Sequence, residues 1–237
     1  MMESRILTEV EFLTDYVLEQ NGNSFNPREL VHHCITNIIM NIAFGRRQDY
    51  NLGISELAYE ISRFAENVNF TLDVAPIIRF VPFYRTKLRV LVENQNVIHK
   101  ILRVETEKSL ADGADDCFVR RYVESLGPGY DTEQLRFTLR DMIAAGTDTT
   151  ANTLLWTLIA LANNPTVQDR LRAEIDAAVP RDVPPSMNDQ PKLPYVEATI
   201  LEILRWRPLI PLAIPHMTLC DTNVGDYFVP AEALVNT

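Results

Sequence analysis

The stretch Met142-Ile-Ala-Ala-Gly-Thr-Asp-Thr-Thr-Ala-Asn-Thr153 lies inside an apolar helical pattern that extends from about Gln134 to Ala162. Its composition opposes the helix around it. Glycine costs an exposed helix interior roughly 1 kcal/mol relative to alanine, and β-branched residues add to that, so Gly146, Thr147, Thr149 and Thr150 all disfavour the conformation their neighbours demand. Threonine hydroxyls can bond to the carbonyl one turn earlier and bend the helix, and Gly146 leaves room for a flat ligand to approach the backbone. Asp148 adds a carboxylate beside an apolar surface. The set suits proton delivery to something held against the helix, with the Thr149 hydroxyl as relay and Asp148 as supplier. The competing reading is a helix boundary, in which Gly146 ends one helix and Thr147 or Asp148 caps the next.

With 237 residues, 46% of them hydrophobic and 23% charged, the chain can bury a sizeable core in one domain or in part of a larger one. Its net charge of -10 and the absence of Lys/Arg clusters argue against nucleic-acid binding, which needs a basic stripe. Cys34, Cys117 and Cys220 are widely spaced and odd in number, which fits reduced structural thiols and neither a disulfide framework nor a zinc site. No apolar run reaches the roughly 18 residues of a membrane span, and the N-terminus has no charged-then-apolar leader.

Helical periodicity dominates the remainder. Ile6, Leu7, Val10, Leu13 and Val17 mark one apolar face of a first helix that stops near Asn21-Gly22. Asn26-Pro27 opens a second, which carries Leu30 to Ile42 and ends at Gly45; His32 and His33 within it read as ordinary helix residues rather than ligands. Further helices are predicted over about Ser55 to Leu72, Arg85 to Leu110 and Cys117 to Leu126. The connector Asp73 to Phe83 is unusually apolar and suggests contact with a greasy surface. Asp131 and Gln134 form a capping pair for the central helix, which would span about 45 Å at 1.5 Å per residue. Asn164-Pro165 starts the next helix, Pro180 to Pro191 reads as a proline-rich loop, and Pro194 opens a helix that must end before Pro208. Strand-like pieces follow at Leu212 to Ile214, Asp226 to Val229 and Ala233 to Val235.

The helix before Pro208 holds Glu202-Ile-Leu-Arg205, three apart on one face, a pattern that Glu60/Arg63 and Glu133/Arg136 match equally. What distinguishes it is its sequel, Arg207-Pro208, Pro211 and Ile214-Pro215-His216. Taken in order with Ala145-Gly-Thr-Asp-Thr-Thr150, these elements resemble the cytochrome P-450 haem-thiolate monooxygenases. Phe44 to Tyr50 and Leu193 to Ala198 are similar to the microsomal branch, and Val196 to Ile200 with Ile214 to His216 resemble its steroid 17-hydroxylase and aryl-hydrocarbon hydroxylase groups.

The resemblance implies a mainly α fold with a small β region, seen here as a single partial domain over residues 1–237. It implies haem, O2, a lipophilic substrate (steroid, fatty acid or xenobiotic), an NADPH-dependent reductase and an endoplasmic reticulum membrane location for the full-length relative. By position, Asp148 and Thr149 match the catalytic acid and alcohol, and Ala145 and Gly146 match residues against the distal haem face. His216 matches a donor to a haem propionate. Glu202 and Arg205 match a buried ion pair, with Glu133 and Arg136 expected to be exposed. Ile210, Ala213 and Ile214 match substrate-contacting positions, and Asp73 to Phe83 the membrane-resting segment between lid helices. The family's iron ligand sits in a Phe-x-x-Gly-x-Arg-x-Cys-x-Gly loop, because thiolate donation favours O–O cleavage. None of the three cysteines has that setting. The expectation is therefore a chain truncated at both ends, without membrane anchor or metal ligand, and a catalytically dead helical fragment is the alternative.

Overall fold

The computed structural model describes residues 2–47, 80–111, 116–211, 213–214 and 216–235. The predicted helix Ser55 to Leu72 and most of the connector Asp73 to Phe83 lie outside these residues. Helices dominate: α1 (Met2–Glu19), α2 (Pro27–Phe44), α3 (Pro82–Ala111), α4 (Phe118–Leu126), α5 (Thr132–Asn163), α6 (Pro165–Ala178) and α7 (Pro194–Trp206), with 3-10 turns at Gly127–Gly129 and Met187–Lys192. The latter turn, closed by a Ser186–Asp189 capping box, sits inside what the sequence suggested was simple loop. Among the described residues four short strands follow: β1 (His216–Met217), β2 (Thr222–Val224), β3 (Tyr227–Val229) and β4 (Leu234–Val235).

The longest of these helices is α5, and it runs unbroken through the glycine and threonines. Asp131 starts it, its carboxylate accepting from the backbone N–H groups of Glu133 and Gln134 at 2.8 and 3.1 Å. Two effects offset the poor local propensity. The hydroxyls of Thr149, Thr153 and Thr157 each donate to the carbonyl four residues earlier, at 2.6, 2.9 and 2.8 Å, so each polar group is satisfied within the helix. Burial does the rest: Leu135, Leu139, Ile143, Thr147 and Ala151 form an inward stripe against α2, α3 and α4. The helix-boundary reading is thereby excluded.

The core lies along α2 and the first two-thirds of α5. Met40, Ala43 and Phe44 from α2 meet Ile98 and Leu102 of α3, Cys117 and Val119 at the start of α4, and Leu135, Leu139 and Ile143 of α5. A second cluster joins Val31, Cys34, Ile35 and Ile38 to Ala151. Asn26 caps α2 through Arg28 N at 3.0 Å, and Gly45 ends it in the left-handed region at φ 71°.

The first helix departs from its expected orientation. Val10 and Val17 are exposed, whereas Glu9 is fully buried. The reason is a polar seam with α2: Glu9 accepts from Arg47 Nε at 2.5 Å and from Asn37 Nδ2 at 3.3 Å, and Arg5, one turn earlier, donates to Asn41 O at 2.9 Å. Only Leu13 of the predicted apolar stripe packs against the second cluster.

On the other side, α7 is tied to α6 by the Glu174 carboxylate, which accepts from Tyr195 N and Val196 N at 2.9–3.0 Å and so satisfies orphan donors at the α7 N-terminus. Past α7 the chain forms two antiparallel ladders. In one, His216 pairs with Val235; in the other, a hairpin turning at Gly225, Thr222 pairs with Val229. Of the predicted strand Leu212 to Ile214, Leu212 lies outside the described residues, and Ala213, with φ 55°, and Ile214 are not in a strand.

Candidate functional site

The central turn of α5 presents different residues to its two sides. Thr147 is buried toward the helix bundle, while Ala145 and Thr149, one turn apart, are exposed on the opposite side with Thr150. Because Thr149 Oγ1 donates to Ala145 O at 2.6 Å, its own proton is directed inward and its lone pairs are left to accept from outside. Small side chains at i and i+4 make a low strip on which a flat group can lie. Gly146 does something else. A Cβ there would lie 2.9 Å from Ile39 Cδ1 and 3.2 Å from Ile39 Cγ1, so the missing side chain lets α2 approach α5. The space expected for a flat ligand at Gly146 is, in the Cβ direction, occupied by Ile39.

Asp148 is one-third exposed, and its Oδ1 lies 3.6 Å from His32 Nδ1 on α2. Burial holds the His32 imidazole below its ordinary pKa of 6.5, with Arg28 and His33 acting in the same direction and Asp148 against them. The second nitrogen, Nε2, is buried without a hydrogen-bond partner among the described residues. Nothing in the helical pattern around His32 singled it out, because its partner comes from the register between α2 and α5.

Glu202 and Arg205 form a two-bond pair, Arg205 Nη2 to Glu202 Oε1 at 2.6 Å and Nε to Oε2 at 2.7 Å. It is not buried. The side chains are 59% and 72% exposed, while in the comparison pair Glu133 is 60% and Arg136 only 22% exposed. The expected contrast is thus absent: the two glutamates are equally exposed, and Arg205 is the more exposed of the arginines. The cause is the packing of α7, which buries only Ile203, leaves Leu204 and Arg205 exposed, and sets Glu202 at an open cleft shared with Ala160 and Leu161 of α5 and Val167 of α6. The hydrogen bonds from Arg205 still hold the Glu202 carboxyl below its ordinary range. Beside it, Trp156 and Trp206 meet edge-on at 6.3 Å, and the Arg207 guanidinium lies 4.7 and 4.6 Å from the two rings.

His216 is exposed at the start of β1, and Ile210 and Ile214 are exposed near it, with Ala213 half-buried. Apolar groups are exposed on the neighbouring helices as well: Leu154, Leu158 and Ile159 on α5, and Ile200, Leu201 and Leu204 on α7.

Among the described residues, a long unbroken helix carrying a Gly-Thr-Asp-Thr turn packs with further helices and is followed by small antiparallel ladders. The sequence profile of the cytochrome P450 family matches residues 1–237, and the chain belongs to that family. It is 31% identical to cytochrome P450 2U1 of Rattus norvegicus, over 99% of this chain and 47% of that protein. It is 30% identical to cytochrome P450 2H1 of Gallus gallus and to cytochrome P450 1A1 of Platichthys flesus, covering 50% and 48% of those proteins. The chain spans about half the length of the curated relatives it matches. A zebrafish cytochrome P450 solved with progesterone superposes with a TM-score of 0.82 at 24% identity, over 98% of this chain and 56% of that one, which establishes the fold. Among the described residues no helix is long and apolar enough to cross a membrane.

The family implies haem, and the residues present fit one side of it only. The exposed Ala145 and Thr149 strip suits the face of a flat ring. No thiol lies on that strip: Cys34 and Cys117 are buried in the helix packing and Cys220 is exposed between strands. These residues thus offer the ring a wall, and none of the three cysteines is placed there to reach its iron.

Proposed function

We propose that these residues serve in a haem-dependent monooxygenase that inserts one atom of O2 into a lipophilic substrate, a steroid, fatty acid or xenobiotic, with electrons from an NADPH-dependent reductase at the endoplasmic reticulum membrane. The observation that carries this reading is the exposed turn of α5, in which Thr149 and Ala145 share one surface and Asp148 sits beside them, half-buried. Haem, when bound, supplies the oxygen chemistry. The chain's own part is to shape one wall and move protons. Ala145 keeps the wall low. Once rotated off the Ala145 carbonyl, the Thr149 hydroxyl donates its proton outward, and protonated Asp148 returns one to Oγ1. In this reading His216 would donate to a haem carboxylate, Glu202 and Arg205 would brace the fold on the side away from Thr149, and Ile210, Ala213 and Ile214 would contact substrate.

Incubating the haem-bearing protein with oxygen-18-labelled O2, reductase and a panel of lipophilic compounds tests this reading: one labelled oxygen per product molecule is expected. Product labelled from water instead would exclude it. For the 237 residues alone, the exposed Glu202–Arg205 pair and the setting of the three cysteines favour the second reading, a helical fragment without catalysis. Reduced under carbon monoxide with added haem, that polypeptide should give no thiolate-type Soret band. Such a band, abolished by Cys220→Ala, would sink the second reading.

A further inference from the structure

The region between α2 and α5 holds a titratable pair that the proposed function does not use. His32 Nδ1 and Asp148 Oδ1 are 3.6 Å apart, beyond a hydrogen bond but close enough for a strong ion pair once the imidazole is charged. Both side chains are partly shielded, at 20% and 33% exposure, so solvent screens the pair only in part. The charges acting on His32 are Asp148 from α5 and Arg28 and His33 from α2 itself, and of these only Asp148 stabilises an imidazolium. His32 Nε2 is buried with no partner among the described residues, so a proton there gains nothing locally and the stability of the charged ring depends on Asp148.

We propose that His32 is a positioning residue for Asp148, pinning its carboxylate toward α2 when the imidazole is charged and releasing it toward Thr149 when the imidazole is neutral. This rests on the role proposed above for Asp148 as proton supplier. Burial holds the imidazole neutral at neutral pH, so His32 exerts no net pull on the carboxylate in that range. Acidification charges His32 and draws the carboxylate away from the exposed face. The consequence runs against simple proton supply, because product formation declines as protons become more abundant.

Two measurements test it. In this chain, the His32 ring is titrated by NMR in the parent and in Asp148→Asn, which keeps the shape but removes the charge. His32 should titrate at lower pH in the variant; an unchanged titration would overturn the proposal. In the haem-bearing protein, product formed per electron consumed is followed between about pH 5 and 8 in the parent and in His32→Gln. The parent yield should fall about tenfold per pH unit below the His32 midpoint, and His32→Gln should lose that decline. A glutamine variant that keeps the parent profile overturns the proposal while leaving the function in place, provided Asp148→Asn lowers the yield throughout. If Asp148→Asn leaves the yield unaltered at every pH, the role of Asp148 itself is wrong. A histidine that merely filled space would still feel the loss of the Asp148 charge in its titration, but His32→Gln would then leave the pH profile of the yield unmoved.

Discussion

Replacing Gly146 by alanine sets two effects against each other. Alanine gains about 1 kcal/mol of helix propensity over glycine in the interior of α5. Against it, the new Cβ would stand 2.9 Å from Ile39 Cδ1 and 3.2 Å from Cγ1, a contact that must be relieved. Overpacking of a well-filled site costs about 1–3 kcal/mol, and the half-buried Ile39 can turn its terminal methyl, which puts the cost at about 1–2 kcal/mol. Gly146→Ala should therefore be neutral or destabilising by up to about 1 kcal/mol. Ile39→Ala alone should cost about 2 kcal/mol, near the lower end for deleting a branched core side chain, because Ile39 is not fully enclosed. In the Ile39→Ala background the obstruction is gone, so Gly146→Ala should become stabilising by about 1 kcal/mol. Urea unfolding of the four proteins measures this reversal directly, as a coupling between the sites. If Gly146→Ala is stabilising by about 1 kcal/mol in both backgrounds, Gly146 is not there to admit α2, and its absent side chain must serve the exposed face instead.

Glu9→Ala should lower stability by about 3 kcal/mol, the lower part of the range for breaking a buried pair, since Arg47 retains 27% exposure and can reach water. A shift in the urea midpoint no larger than that of a surface substitution would show that the seam between α1 and α2 contributes little. His99 on α3, edge-on to Phe137, is held below 6.5 chiefly by burial and then by Arg136 and Arg140. The unfolded chain thus takes up its proton first as pH falls, so this contribution to stability is complete above 6.5 and is lost as pH drops through the lower folded value. His99→Gln should flatten the dependence of the melting temperature in that window; an unaltered slope would rule His99 out as its source. Alkylation at neutral pH followed by mass spectrometry should modify exposed Cys220 first, whereas Cys117 is buried and Cys34 is both buried and pushed up to about 11. Early modification of Cys34 would mean that the α1–α2 contact opens readily.

What could be read in advance was whatever local chemistry determines. Asn26-Pro27, Asp131 and Pro194 placed helix starts because a cap or a fixed φ acts within one turn. The unbroken course of α5 through Gly146 depended on burial against α2, and the threonine sequence permitted a boundary equally well. Periodicity misjudged α1, since a fully buried Glu9 becomes acceptable only when Arg47 and Asn37 arrive from elsewhere in the chain. Order and spacing of motifs pointed to the family, but could not say that Glu202 and Arg205 would face solvent in these residues or that Ile39 would fill the space at Gly146. The His32–Asp148 pair was illegible for the same reason: 116 positions separate its members, and only the α2–α5 register joins them.

The most direct measurement is the yield of oxygenated product per electron in the haem-bearing protein, with and without the Thr149 hydroxyl. Thr149→Ala removes the hydroxyl, together with the Cγ2 methyl, while keeping the helix, because the lost bond to Ala145 O is internal to α5 and alanine is the better helix former. Loss of a positioned proton-transfer group should lower product formation about 100-fold or more, with electrons diverted to hydrogen peroxide and little change in substrate affinity. Full yield from Thr149→Ala, together with unchanged peroxide, would contradict the assignment of the exposed α5 turn as the proton-delivering wall of the site.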